Sequence, residues 1–271
     1  MNFNGANVLI TGASAGIGAE FARQFHALGS QLVLVARRKD KLQLLVEHFN
    51  SSRPSSARAL AADLSTPGSA IQPSGSLLEV EQFIRSNSLD ILINNAGFGS
   101  FGEFDELQCQ REIEMVMLNV VAPLRLAHAA LPQMKGRRSG AIVTVSSVAA
   151  FQPIPYMATY SATKSFNFCH SMALRYELGS YGVRCLAVCP GPTATEFGGV
   201  ARVPGSITGI HRDDVSAVVR ESIKALQNNQ AFVVPCLRSR VMSLFSRLLP
   251  FALTTYFTAR LLRPVYHGIT K

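Results

Sequence analysis

The feature that most constrains this chain is an alternation. Short apolar runs at 6–11, 31–36, 57–62, 89–94, 141–146, 183–188 and 232–234 are separated by segments of helix length, among them 17–28 and 40–49. A strand with one wet face alternates apolar and polar residues. Runs such as Val8-Leu9-Ile10 and Leu186-Ala187-Val188 are apolar at successive positions, so both of their faces need covering. Strands of this kind belong in a parallel sheet, and right-handed crossovers through the intervening helices give a doubly wound α/β fold. The 271 residues fit one such domain, and a chain 48% hydrophobic and 16% charged buries a core rather than staying disordered. No internal repeat is evident. Residues 65–76, with Pro67, Gly68, Pro73 and Gly75, read as a surface loop.

The domain is expected over 1–236. The tail, 237–271, differs in character: Arg238, Arg240, Arg247, Arg260 and Arg263 are set among Leu244, Phe245, Leu248, Phe257 and Leu261. It reads as a basic amphipathic helix broken near Pro250. Two placements stand open, packed on the domain or over a cleft, and lying on an anionic membrane surface.

Charge and cysteine usage narrow the partners. A net charge of +9 favours anionic partners. Nucleic acid is excluded as the expected partner, because no basic block is interleaved with aromatics and no zinc-finger or helix-turn-helix pattern occurs. The cysteines (109, 169, 185, 189 and 236) form no C-x-x-C pair, which predicts reduced thiols and a cytoplasmic setting. Cys185 and Cys189 lie in an apolar run, and the histidines are scattered, so no metal site is expected. No secretory signal pattern precedes the first apolar run. The uncharged stretch 139–163 is long enough to span a bilayer, but Pro153 and Pro155 and its many hydroxyls make it a strand followed by a polar loop.

Between the first strand and first helix stands Thr11-Gly12-Ala13-Ser14-Ala15-Gly16-Ile17-Gly18. A glycine turn there lets backbone N–H groups approach a pyrophosphate at a helix N-terminus. The spacing is G-x-x-x-G-x-G rather than G-x-G-x-x-G. After the second strand the acid that would bind ribose hydroxyls is missing, and Arg37 and Arg38 follow Ala36. A guanidinium can pair with a 2′-phosphate, so NADP(H) is expected over NAD(H).

Tyr160 and Lys164 are four apart and share a helix face. An ammonium beside a phenol favours the phenolate, which predicts a Tyr160 pKa below its usual ~10 and a general acid–base role. Ser147, thirteen residues upstream at a strand end, is placed to donate to a substrate carbonyl oxygen. Tyr156 has no lysine four residues on and is assigned to the substrate side.

Taken with Asn94-Asn95-Ala96-Gly97, Asn119 and Pro190-Gly191, these motifs make the chain resemble the short-chain dehydrogenase/reductase family over about residues 4–234. The resemblance implies a seven-stranded, mostly parallel Rossmann sheet, a nicotinamide cofactor and a catalytic tetrad of Asn119, Ser147, Tyr160 and Lys164. It implies that Tyr160 protonates the carbonyl oxygen, Lys164 binds the nicotinamide ribose, and Asn119 holds a water in the proton relay. It also implies that Asp63 contacts the adenine, that Asn95 and Gly97 line the adenosine half, that Thr193 touches the carboxamide, and that Leu64, Ala96, Pro190 and Gly191 belong to the cofactor site. Phe98, Tyr156 and Phe197, with Phe101, Phe151, Ile154 and Met157, suggest a hydrophobic ketone, aldehyde or secondary alcohol as substrate. A catalytically silent NADP-binding scaffold is the alternative, which loss of Tyr160 or Lys164 would have favoured. Homodimers or homotetramers through helices near 107–134 and 161–180 are implied in the same way.

Overall fold

Every expected apolar run is a strand: β1 (Asn7–Thr11), β2 (Gln31–Ala36), β3 (Ala57–Ala61), β4 (Ile91–Asn94), β5 (Gly140–Val145), β6 (Val183–Val188) and β7 (Phe232–Val233). The computed structural model describes residues 1–66, 75–201 and 212–267. Most of the loop expected at 65–76, and the last four residues of the tail, lie outside these. The strands form one sheet in the order β3-β2-β1-β4-β5-β6-β7, every ladder parallel.

Alternation along each strand divides the core in two. Val8, Ile10, Val143, Val145, Leu186 and Val188 point to one face, where they meet helices α1 (Gly16–Ala27), α2 (Lys39–Ser52) and α8 (Val215–Gln227). Leu9, Leu92, Ile142 and Cys185 point to the other, toward α3 (Leu77–Ser86), α5 (Ala122–Arg137) and the end of α6 (Ala158–Leu178). The central strands have no wet face, which is why their sequences lack the polar alternation of an exposed sheet. The short α7 (Phe197–Val200) follows β6.

A π-helical turn, Met117–Val121, joins α4 (Cys109–Val116) to α5 within one continuous helix. Such an inserted turn shifts the helix register locally, and here Asn119 is the residue it turns inward. The tail breaks at Pro250, as expected, into α9 (Leu237–Leu248) and α10 (Phe251–His267). Both lie beside the carboxyl ends of the strands. Ser246 donates to Gln152, Gln152 donates to Thr258, and the Tyr156 and Tyr266 rings stack at 5.0 Å.

Candidate active site

The sheet order reverses between β1 and β4, and the crevice opened there is where a doubly wound fold receives ligands. The loops after β1 and β4 are tied together across it. The Asn95 and Ala96 N–H groups both donate to Thr11 Oγ1, at 2.9 and 3.0 Å, and Asn95 Nδ2 donates to the Thr11 carbonyl at 2.8 Å. This knot leaves no room for a side chain at Gly12 or Gly18. A Cβ on Gly12 would lie 2.8 Å from Asn95 Nδ2, and one on Gly18 would lie 2.4 Å from the Gly12 carbonyl. Gly12 and Gly16 also sit at positive φ, +66° and +54°. The turn therefore offers a bare backbone cradle at the N-terminus of α1, which suits a pyrophosphate.

One cavity of about 610 Å³ runs from this cradle to the tail. Its wall includes Gly12, Ser14, Ala15, Gly16, Ile17, Arg37, Arg38, Asp63, Leu64, Asn95, Ala96, Gly97, Pro190, Gly191 and Thr193 at the cradle end and along its length. Ser147, Tyr160, Lys164, Phe98 and Phe197 line its far part. Five expected residues do not line it, two of them Phe101, which packs with Leu262 and Tyr266, and Phe151, which packs with Cys189 and Val234. Gly18 packs beneath the turn. Tyr156, at φ +65°, directs its ring toward Phe101 and Tyr266 and so serves the tail contact rather than the cleft. Asn119 is buried behind the wall, where its Oδ1 accepts from Phe98 N–H at 3.1 Å and its Nδ2 donates to the Phe98 carbonyl at 2.9 Å and to Thr163 Oγ1 at 3.1 Å.

At the mouth of the cradle, Arg38 donates to Ser14 Oγ at 3.0 and 3.2 Å and to Glu196 at 2.7 Å, while Lys41 donates to Glu196 at 3.0 Å. These two cations hold the Glu196 carboxyl below its ordinary pKa. Arg37 stands 3.6 Å from Asp63. Glu196 was not legible as a site residue, because its partners Arg38 and Lys41 are 158 and 155 positions away in sequence.

Helix α6 carries Tyr160 and Lys164 on its inward face, and the loop after β5 brings up Ser147. All three meet. Ser147 hydrogen-bonds the Tyr160 hydroxyl, and its own oxygen is fixed by the Ala149 N–H at 3.1 Å. Lys164 Nζ lies 5.8 Å from the Tyr160 ring centre and donates to the Val145 carbonyl at 2.9 Å. The expected lowering of the Tyr160 pKa by Lys164 is not what this geometry produces. Burial dominates and pushes the phenol up to about 12, with the Ser147 hydrogen bond opposing. Burial likewise pulls Lys164 down to about 8, with the neighbouring Cys189 opposing. The site thus holds a protonated phenol beside an amine that titrates at about 8. Among the described residues no group of three or more His, Cys, Asp or Glu side chains is placed to hold a metal.

Thr195 and Glu196 add to the wall from the loop after β6, and Met242, Ser246, Leu261 and Leu262 add to it from the tail. The tail's share lay beyond sequence reasoning, which had left its placement open.

A family model described as short chain dehydrogenase matches residues 6–202. A curated relative from Danio rerio, dehydrogenase/reductase SDR family member 7B, is 33% identical over 195 residues, 70% of this chain and 62% of the relative. A human relative named inactive hydroxysteroid dehydrogenase-like protein 1 is 28% identical over 70% of this chain and 56% of its own length. The chain thus spans less than two thirds of the length of either relative. Among solved structures, a short-chain dehydrogenase from Sphingobium yanoikuyae in complex with NADPH is 34% identical, with a TM-score of 0.79, covering 89% of this chain and 92% of that one. A bulky-bulky ketone specific alcohol dehydrogenase from Comamonas testosteroni is 32% identical, with a TM-score of 0.75 over 91% and 96%. The cradle and the Ser147–Tyr160–Lys164 cluster are thus set in a chain whose greater part follows one family pattern, and the chain belongs to the short chain dehydrogenase family.

Proposed function

We propose that this protein is an oxidoreductase that moves a hydride between NADP(H) and a hydrophobic ketone, aldehyde or secondary alcohol, with Tyr160 as general acid and base. The observation that carries the reading is continuity. One cavity joins the glycine cradle and its Ser14–Arg38 pair to the Ser147–Tyr160–Lys164 cluster. The cradle's bare backbone suits a pyrophosphate, and Ser14, Arg37 and Arg38 are the groups that would hold a 2′-phosphate. Asp63 and Leu64 would lie by the adenine, Asn95, Ala96 and Gly97 along the adenosine, and Pro190, Gly191 and Thr193 by the carboxamide. The nicotinamide supplies or accepts the hydride when bound.

The protein's own residues handle the proton. In reduction, Ser147 orients the carbonyl oxygen by a hydrogen bond, and Tyr160 gives that oxygen its proton as the carbon is reduced. Lys164 holds the ribose and restores the Tyr160 proton. Asn119 has a positioning role, fixing the Phe98 backbone that forms one wall beside Tyr160. Oxidation of an alcohol reverses each transfer. Phe98 and Phe197 flank Tyr160, and the tail adds Met242 and Leu262, which favours a bulky apolar substrate.

The test is NADPH and NADH consumption over a panel of bulky aromatic, steroid and long-chain acyl carbonyls. Turnover faster with NADPH supports the reading. NADPH binding with no turnover on any of them would assign the chain to a catalytically silent, cofactor-binding role instead.

A further inference from the structure

Helix α9 is built inside out. Its buried positions are Ser239 and Ser243, with Ser246 half-buried, and these serines satisfy polar partners beneath: Ser239 donates to Asp213 at 3.0 Å and Ser246 to Gln152 at 2.7 Å. The outward face holds the large apolar residues. Leu237 is 74% exposed, Phe245 61% and Leu248 72%. The first turns of helix α10 continue the pattern, burying Thr254 and exposing Phe251 and Phe257, while its second half buries Leu262 and Tyr266 against the domain and leaves Leu261 67% exposed. A helix on a water-facing surface buries its apolar stripe and exposes its polar one. Helix α9 and the first turns of α10 do the reverse, and large apolar side chains left exposed in this way mark an interaction site.

The charges on the same hairpin indicate what covers that surface. Arg238, Arg260 and Arg263 are exposed, Arg240 donates to the Val234 carbonyl and Arg247 lies over the Phe232 ring, and 237–271 contains no Asp or Glu. A second copy meeting this face across a two-fold axis would set arginines against arginines, with no acid from either tail between them. A protein partner would need an acidic rim around an apolar centre. An anionic lipid surface supplies both parts at once, headgroups for the guanidinium groups and acyl chains for Phe and Leu. Met242 and Leu261 belong both to this face and to the cavity wall, so the cavity mouth opens on the same side.

We infer that the α9–α10 tail seats the protein on an anionic membrane surface, with its exposed phenylalanines and leucines in the acyl boundary and Arg238, Arg260 and Arg263 among the headgroups. This inference concerns the tail alone and stands whatever the site catalyses.

The experiment is flotation of the full-length protein with vesicles of phosphatidylcholine and phosphatidylglycerol in equal parts, and with phosphatidylcholine alone. The protein should float with the anionic vesicles at low salt and be released as salt rises. Arg238→Gln with Arg263→Gln should weaken partitioning by about thirtyfold. Phe245→Ser with Phe257→Ser should weaken it by about tenfold or more. All four side chains are already exposed, so the melting temperature should hold in both variants. The inference fails if the full-length protein stays with the aqueous phase against both vesicle types, or if either variant floats as well as the parent. It fails equally if a lipid-free dimer forms that the Phe245→Ser, Phe257→Ser variant abolishes, for a second copy would then own the face.

Discussion

Burial moves the two ionisable groups of the site in opposite directions, Tyr160 up to about 12 and Lys164 down to about 8. For the lysine this has a consequence in stability. The unfolded chain keeps the proton to about 10.5, the native state only to about 8. Between those values the native protein binds fewer protons, so stability rises with pH across that window and is lower by a constant amount below it. The penalty below about 8 is on the order of 3 kcal/mol. Lys164→Met should therefore flatten the rise in melting temperature between about pH 8 and 10.5, where the parent protein climbs. An unchanged slope in that variant would show that the buried amine is not its source. Asn119 makes a different kind of contribution. Replacing it by Ala orphans both the Phe98 N–H and its carbonyl, which should cost about 1–3 kcal/mol in denaturant melts and lower turnover with it.

At the scale of elements, the loop after β6 closes over the cradle through Glu196, which occupies Arg38 and Lys41. A 2′-phosphate arriving at Arg38 has to compete with that carboxylate. These side chains are half-exposed, so the pair is worth at most about 1 kcal/mol. Glu196→Gln should tighten NADPH binding by several-fold, about the same energy, and leave NADH affinity nearly unmoved. NADPH fluorescence titrations can read this cleanly, since the chain has no Trp.

This loop also marks where sequence reasoning stopped. The seven strands were legible because each is apolar at successive positions, and Tyr160, Lys164 and Ser147 because helical and strand-end spacing puts them together. Glu196 and its partners are joined only by the fold. Tyr156 was misplaced because its left-handed backbone turns the ring away from its neighbour's cleft, which spacing alone does not reveal. The Tyr160–Lys164 spacing correctly gave proximity, but it could not weigh desolvation against charge, and burial reversed the expected shift of the phenol.

Over the whole molecule, the cavity crosses the sheet's switch point and joins the β1, β4, β5 and β6 loops to the tail. A ligand filling its cradle end binds only the folded state. NADPH at about a hundred times its Kd should then add about 2.7 kcal/mol and raise the melting temperature by about 5–10 °C, and NADH should do less at the same concentration. Equal shifts would show the Arg37–Arg38 region to be indifferent to the 2′-phosphate.

The most direct measurement is single-turnover reduction by Tyr160→Phe, preloaded with NADPH and given a carbonyl that the parent enzyme reduces. The substitution removes one hydroxyl and keeps the ring that packs against Phe197. The account predicts parental NADPH affinity with the hydride-transfer rate down by about 10²–10⁴-fold. Reduction at the parental rate would contradict it, for the proton would then be reaching the carbonyl oxygen from some other group.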